Sequence, residues 1–138
     1  MKKTIRVTGC ILSYGNEMLM LHRSKKETDP SLWGIPAGKV ELNEPDEDAV
    51  LREVFEETGI RIEDGLDYLG QMDIEYESMT VQFPIFHKLL NTQPVIVLDP
   101  EEHINYRWMK PSDVLELPDL MLDVDKIVTE FCIKKHKL

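Results

Sequence analysis

The chain contains few of the residues that mark several large classes of protein. Its 138 residues include only two cysteines, Cys10 and Cys132, whose separation fits no metal-ligand motif, so we interpret them as buried thiols. No apolar run approaches the roughly 20 residues of a transmembrane helix, and the N-terminal residues alternate apolar and polar side chains as a strand does. We therefore expect a single domain, residues 1–138, in a reducing cytoplasm and without a membrane partner.

Basic residues are also scarce. Sixteen lysines and arginines stand against 26 aspartates and glutamates, which gives a formal net charge of −10. A protein that binds a nucleic-acid polymer normally carries a basic surface, so this balance argues against such a partner. A small phosphorylated substrate is compatible with the charge, because bound cations reverse the local electrostatic field.

The acidic residues are concentrated in residues 38–60, which read GKVELNEPDEDAVLREVFEETGI. Within this stretch Glu53, Glu56 and Glu57 are spaced i, i+3 and i+4, which places them on one side of a helix. Carboxylates this close repel one another, and Arg52 is the only base nearby. Hard divalent cations prefer oxygen ligands and relieve such repulsion, so the pattern indicates a metal site.

The same stretch carries the signals that begin and end a helix. Pro45 suits the first helical position, and the three acids that follow it suit the positive end of the helix dipole. Gly59 stands where a left-handed residue commonly ends a helix. Apolar residues on the side opposite the glutamates predict the face that packs on a sheet; they are Val50, Leu51, Val54 and Phe55.

The spacing of these residues resembles the complete signature of the Nudix hydrolases, G-x5-E-x7-R-E-U-x-E-E-x-G-U, in which U is aliphatic. Gly38 and Glu44 fill the first two fixed positions, and residues 52–60 fill the others. The preceding LWGIPAG resembles the segment that leads into this signature, with Ala37 in place of a glycine, so the backbone at Ala37 should not need a positive φ. An unrelated acidic helix would explain the charges but neither the glycines nor their separations.

The resemblance implies a fold and a reaction. The fold is an α/β/α sandwich built on a mixed sheet. The reaction is the hydrolysis of a pyrophosphate bond in a nucleoside diphosphate derivative, by attack of water on phosphorus. Mg²⁺, or Mn²⁺ in its place, neutralises charge on the phosphate oxygens. A nucleoside triphosphate or a related small nucleotide is the expected substrate, and a homodimer is an expected assembly because dimers are common in the family.

The resemblance also assigns roles to residues of the signature. It makes Glu53, Glu56 and Glu57 the metal ligands and adds the carbonyl of Gly38 as a further one. Arg52 is expected to pair with a neighbouring carboxylate and hold it in orientation. Either Glu44 or Glu53 could be that carboxylate, and Glu44 is interpreted first as a support for the geometry of the loop and helix.

The general base that activates water is left open. The family uses either a glutamate of the signature, here Glu53 or Glu56, or a glutamate of a later loop. Glu101 and Glu102 are the loop candidates, and we take Glu102 as the one to test; His103 is a weaker candidate. For the substrate contacts, the sequence favours Arg23 and Lys39 for phosphate. Trp33 is expected beside the cleft, with bracing of the loop as its alternative role, while Phe83 and Tyr76 are open candidates for a base pocket.

Two other functions compete with hydrolysis. A non-catalytic nucleotide-binding module on the same fold often loses glutamates of the signature, and this chain retains all of them. An isomerase on this fold relies on a reactive cysteine near the cleft, whereas Cys10 and Cys132 fall in a predicted strand and a terminal helix.

The remaining elements follow from periodicity and turn residues. Strands are predicted at 4–13, 68–76, 79–90 and 104–109, with a further strand ending at Leu21 and a weaker run at 95–98. A polar loop is predicted at 25–32, a helical turn from Pro111, and a final helix at 118–135. The apolar stripe of that helix is expected to include Leu122, Ile127, Val128 and Phe131.

Overall fold

The computed structural model describes residues 2–24 and 31–134, except for the side chain of Lys134. The strands are β1 (Lys3–Tyr14), β2 (Glu17–Arg23), β3 (Trp33–Gly34), β4 (Ala37–Lys39), β5 (Asp67–Glu75), β6 (Met79–Leu90) and β7 (His103–Met109). The helices are α1 (Asp46–Thr58), α2 (Pro111–Val114), α3 (Val124–Val128) and a π-helical continuation of α3, Thr129–Lys134.

The seven strands form one mixed sheet. Its main order is β3-β2-β1-β6-β5, with β4 paired to β1 and β7 paired to β2. β1 and β6 run parallel, whereas the other strand pairs of the described chain are antiparallel. The predicted mixed sheet is therefore confirmed.

The two faces of the sheet are covered by different helices. In β1, Cys10 belongs to the apolar cluster that contains Val50 of α1, whereas its neighbour Ile11 belongs to the cluster that contains Ile127 of α3. This alternation follows from the period of two in an extended strand, which sends successive side chains to opposite faces. Helices thus pack on both sides of the sheet, and the predicted α/β/α sandwich is confirmed.

Helix α1 ends at the position that the sequence indicated but begins one residue later, at Asp46, because Pro45 is the N-cap rather than the first helical residue. Pro45 precedes its first residue with an extended backbone, and Gly59 ends it with a φ of 78°, donating its N–H to the carbonyl of Phe55 over 2.9 Å. Val50 and Val54 are fully buried, as predicted for the sheet-facing side. The prediction was wrong for Phe55, which is 41% exposed and carries the Arg61 guanidinium 4.2 Å above its ring.

Two predicted elements differ from the structure. Residues 95–98 are not a strand; Val95 is exposed, and Val97 forms one backbone hydrogen bond to the carbonyl of Thr58. The last helix begins at Val124 rather than at 118. Residues 118–123 are not helical because Leu120 in this segment pairs with Trp33 of β3, and because the segment ends at Asp123, whose φ of 71° is left-handed. Leu122 consequently lies outside the helix and is exposed.

The other expectations for the chain have mixed outcomes. Cys10 and Cys132 are both buried free thiols, as predicted, and burial raises the pKa of each. Most of the predicted polar loop at 25–32 lies outside the described residues. In the described part of the chain, none of the helices combines the length and apolar character needed to cross a bilayer.

Candidate active site

A cleft of about 420 Å³ lies where α1, β4 and the segment before α3 meet. The charged or ionisable side chains that line it come from five separate elements or loops of the chain. They are Arg23, Lys39, Glu53, Glu57, Glu102 and His103. The cleft therefore collects carboxylates and cations that are up to 79 positions apart in the sequence, from Arg23 to Glu102.

Helix α1 directs two of its three signature glutamates into this cleft. Glu53 and Glu57 lie one helical turn apart, and both line the cleft. Glu56 does not line it, and its side chain is 52% exposed. The helix face predicted to hold metal is thus only partly enclosed.

Arg52 lies at the centre of the ionic contacts on the glutamate-bearing face of α1. It binds both carboxylate oxygens of Glu44, donating from Nε over 2.9 Å and from Nη2 over 3.0 Å. Its Nη1 donates to Glu53 over 3.0 Å and to Glu56 over 2.9 Å. The sequence left open whether Arg52 pairs with Glu44 or with Glu53; in the structure it pairs with both. The bidentate contact with Arg52 lowers the pKa of Glu44 to about 2, so this carboxylate stays ionised.

Glu53 is packed against the backbone of the preceding loop. A Cβ atom placed on Gly38 would overlap the Glu53 carboxylate, so only glycine at this position leaves room for it. Burial raises the pKa of Glu53 to about 7, and the neighbouring charges of Glu56 and Glu102 act in the same direction, against the opposing effect of Arg52.

Glu57 is more deeply buried, with 5% of the residue exposed. Its Oε1 accepts a hydrogen bond from the backbone N–H of Ala37 over 2.9 Å. Burial raises the pKa of Glu57 well above its usual range, and the charges of Glu53 and Glu102 add to the effect. Ala37 holds its N–H towards Glu57 without a positive φ, as the alanine at this position led us to expect.

The charge and chemistry of this cluster fit a divalent cation. The charge of Glu102 raises the pKa of both Glu53 and Glu57, and the charge of Glu53 raises that of Glu57 further. A bound cation would remove that repulsion while accepting the oxygen atoms of these carboxylates as ligands. Gly38 also lines the cleft, beside Glu53. In residues 2–24 and 31–134, no three histidine, cysteine, aspartate or glutamate residues are already grouped as the ligands of one metal ion. Glu53 instead accepts a hydrogen bond from Arg52, and Glu57 accepts one from the Ala37 N–H.

The other candidate residues are divided between the cleft and the core. Arg23, Lys39 and Phe83 line the cleft, as do Glu102 and His103, whereas Glu101 is exposed and does not. Tyr76 donates its hydroxyl to Asp123 over 2.8 Å, outside the cleft.

Trp33 requires a correction. It is only 3% exposed and does not line the cleft, so the structure gives no support for a substrate contact. The His22 ring stacks on it with centroids 4.3 Å apart, and the Arg107 guanidinium lies 4.8 Å from its centroid. Trp33 instead braces β3 next to the signature loop.

The sequence indicated Phe83 but not the rest of the apolar part of the cleft. Met121 and Val124 line it together with Leu122, which was predicted to face the core. They reach the cleft because Leu120 forms a parallel bridge with Trp33, a long-range contact with no local sequence signal.

Comparison with known proteins decides the family. A NUDIX domain model matches residues 3–131. The chain belongs to the Nudix family. It is 28% identical over 127 residues to a CTP pyrophosphohydrolase of Escherichia coli (strain K12), a match that covers 88% of this chain and 87% of that protein. The resemblance inferred from the signature is thereby confirmed, and the chain is a Nudix pyrophosphohydrolase.

Solved structures agree with this assignment. The crystal structure of a MutT protein from Methanosarcina mazei Go1 matches with a TM-score of 0.82 and 28% identity, covering 99% of this chain and 98% of that one. A bifunctional NMN adenylyltransferase/ADP ribose pyrophosphatase from Francisella tularensis, complexed with AMP and a Mn ion, shares the fold with a TM-score of 0.77. It is 20% identical, and the match covers 98% of this chain and 42% of that one.

Proposed function

We propose that this Nudix protein hydrolyses a pyrophosphate bond of a nucleoside triphosphate or a related small nucleotide, with Mg²⁺ or Mn²⁺ as its cofactor. The observation that carries the proposal is the meeting of Glu53, Glu57 and Glu102 with Arg23 and Lys39 in one cleft. Carboxylates can hold a cation there, and the two basic side chains can bind phosphate oxygens. The similarity to a CTP pyrophosphohydrolase supports a nucleotide substrate.

Each group has a distinct part in the proposed reaction. Glu53, Glu56 and Glu57 would hold the metal together with the carbonyl of Gly38. When bound, a divalent ion neutralises phosphate charge and stabilises the charge that develops in the transition state. Arg52 positions Glu53 through their 3.0 Å hydrogen bond, and Arg52 is itself fixed by both oxygens of Glu44.

Glu102 is the proposed general base. It takes a proton from the attacking water, whose oxygen forms a bond to phosphorus while the bridging P–O bond breaks and its electron pair leaves with the departing phosphate group. The position of Glu102 in the cleft, on the loop before β7, supports this role over that of its neighbour Glu101.

Replacing Glu102 by glutamine is expected to lower kcat by about 100-fold, because a glutamine cannot accept the proton. Steady-state kinetics with saturating Mg²⁺ would measure the loss. Glu101→Gln, which changes the adjacent residue outside the cleft, is the matched control and should retain kcat within about twofold. Equal activity of Glu102→Gln and the unmodified protein would remove Glu102 as the base.

A panel of nucleotides tests the reaction itself. Nucleoside triphosphates, nucleotide sugars and dinucleoside polyphosphates are incubated with the protein and Mg²⁺, and released phosphate is measured with and without an added inorganic pyrophosphatase. We expect turnover of at least one compound, abolished by a chelator and restored by Mg²⁺ or Mn²⁺. Binding of nucleotides without any turnover would favour the non-catalytic module instead.

The isomerase alternative gains no support from the site. Cys10 is fully buried and Cys132 is 2% exposed, and neither lines the cleft. A buried thiol with a raised pKa is a poor nucleophile or acid–base group.

The setting of the protein is also part of the proposal. Two free thiols fit a reducing cytoplasm, and the acidic balance fits a small substrate rather than a nucleic-acid polymer. We propose that residues 1–138 act as one domain. The homodimer suggested by the family is tested by the mass in solution, against 16.0 kDa for one chain.

A further inference from the structure

The cleft has an apolar wall in addition to its charged groups. Among the described residues that line it, the larger apolar ones come from β1, from β6, from the loop after β3, from the segment before α3 and from the first residue of α3. They are Val7, Ile35, Phe83, Met121, Leu122 and Val124. Apart from the weakly accepting sulfur of Met121, these side chains carry no hydrogen-bonding group.

Met121 is held in this wall by three contacts. Its N–H donates to the carbonyl of Trp33 over 2.8 Å, and its own carbonyl accepts from the N–H of Val124 over 3.2 Å. Its sulfur lies 3.8 Å from Nη1 of Arg23. The N–H of Met121 is thus already used within the protein, and its carbonyl already accepts one hydrogen bond there.

Gly34 provides the space that the Met121 side chain occupies. A Cβ atom on Gly34 would lie 2.6 Å from the sulfur of Met121, well inside van der Waals contact. Gly34 itself is fixed in the sheet, because it pairs with Leu21 of β2. The position of the Met121 side chain therefore depends on the absence of a side chain at Gly34.

The segment that carries Met121 is anchored at both ends. On one side, Leu120 bridges to Trp33, whose N–H donates to the carbonyl of Asp119 over 2.8 Å. On the other side, the buried carboxylate of Asp123 accepts the hydroxyl of Tyr76 over 2.8 Å. These contacts make the segment a fixed wall of the cleft.

We propose that this wall, with Phe83, Met121 and Leu122 as its main contacts, receives the nucleobase by shape and van der Waals contact alone. The enzyme then discriminates weakly among nucleobases, and Met121, seated over Gly34, limits the size of the base that is accepted. The inference rests on the proposed hydrolysis of nucleotides. Its physical basis is that apolar pockets separate similar ligands by only about 10–200-fold, whereas pockets that hydrogen-bond a ligand reach about 10⁴-fold or more.

The first test compares kcat/KM for ATP, GTP, CTP and UTP with the full chain and saturating Mg²⁺. We expect all four values to lie within about 10²-fold of one another, because the apolar side chains of the wall cannot form strong hydrogen bonds to a base edge. A larger spread in favour of one base would overturn the inference while leaving the hydrolytic function in place. If none of the four, nor any other nucleotide, is hydrolysed, the proposed function itself fails.

The second test addresses Met121 and Gly34 through three variants. Met121→Ala removes contact area and should raise KM for all four nucleotides by about tenfold, with little change in kcat. Gly34→Ala pushes the methionine into the cleft and should raise KM more for the purine nucleotides than for the pyrimidine ones, because purines are larger. The double variant should lose this purine-specific penalty, because the added methyl group then has no sulfur to displace.

Val95→Ala is the matched control, since it truncates an apolar side chain that is 85% exposed and outside the cleft. Its kinetics should equal those of the unmodified protein. An unchanged KM in Met121→Ala would overturn the assignment of Met121 to the base, whatever Gly34→Ala does to folding. A purine penalty that persists in the double variant would likewise overturn the limit on base size.

Discussion

Replacing Glu57 by glutamine is expected to lower kcat by roughly 10³-fold while making the metal-free protein more stable. The loss of activity follows from removing one proposed ligand charge, because a metal ion contributes several kcal/mol of transition-state stabilisation and each 1.36 kcal/mol is tenfold in rate. The gain in stability follows from burial. Glu57 is 5% exposed with a pKa raised well above its usual value, so ionising it at neutral pH opposes folding.

The sign of the pH dependence follows from the direction of this shift. A carboxyl whose pKa is raised on folding binds more protons in the folded than in the unfolded state at pH values above the ordinary 4.5. The unmodified protein therefore loses stability relative to Glu57→Gln as pH rises from about 4.5 towards the folded pKa. The variant should therefore be the more stable of the two proteins at pH 8, and the difference should shrink towards pH 5.

Thermal or urea unfolding in the presence of a chelator, between pH 5 and pH 8, measures this gain. Glutamine keeps the oxygen that accepts the Ala37 N–H, so the variant should preserve the local structure. Glu63→Gln, an exposed acid just after the helix, is the control and should change neither stability nor kcat. A less stable Glu57→Gln protein at pH 8, or one with near-normal kcat, would contradict this account of Glu57.

The signature helix could be predicted because its information is local. The spacing of Glu53, Glu56 and Glu57 fixes their common side of a helix, and Gly59 ends the helix with the positive φ that glycine adopts at little cost. The contacts of Arg52 with Glu44 and Glu53 are also local, because both partners lie within eight positions of it in the sequence. Sequence alone could not show how far the helix is rotated on the sheet. That rotation decides that Glu57 is buried and that Phe55 and Glu56 are largely exposed.

The rest of the cleft depends on contacts between distant segments. Trp33 was expected beside the substrate because of its place in the sequence, yet the stacking of His22 and the approach of Arg107 bury it. Glu102 rather than Glu101 enters the cleft because of how the loop before β7 returns to β2, a feature with no local pattern. Met121 lines the cleft because its neighbour Leu120 pairs with Trp33, in a segment that the periodicity had predicted to be helical.

Arg52 links the local and the long-range parts of the site. Its Nε and Nη2 donate to the two oxygens of Glu44 and so fix the guanidinium. Nη2 also donates to the carbonyl of Lys39, and Nη1 donates to Glu53 and Glu56. Because one cation is shared among three carboxylates, it cannot neutralise them all. The burial of Glu53 therefore outweighs the effect of Arg52, and its pKa rises to about 7 instead of falling like that of Glu44. A divalent cation is the addition that this arrangement favours.

Gly38→Ala is expected to lower kcat by about 100-fold and to destabilise the protein by about 1–3 kcal/mol, the usual cost of forcing an extra methyl group into a packed site. The backbone at Gly38 does not have a positive φ, so alanine is not strained by its conformation. The cost arises because the new Cβ atom would overlap the Glu53 carboxylate and displace it from Arg52. Unfolding experiments and steady-state kinetics measure the two effects.

Making the same substitution in a Glu53→Ala protein tests whether the cost of Gly38→Ala comes from the Glu53 carboxylate or from a requirement for glycine itself. In a Glu53→Ala protein the carboxylate is gone, so adding Gly38→Ala should cost almost no stability, and the reduced freedom of the unfolded chain could even make it slightly favourable. The difference between the two backgrounds is the coupling energy of Gly38 and Glu53, expected at about 1–3 kcal/mol. An equal cost in both backgrounds would mean that Gly38 is required for another reason. A large coupling would instead establish that the first glycine of the signature is there to admit the carboxylate of its proposed metal ligand.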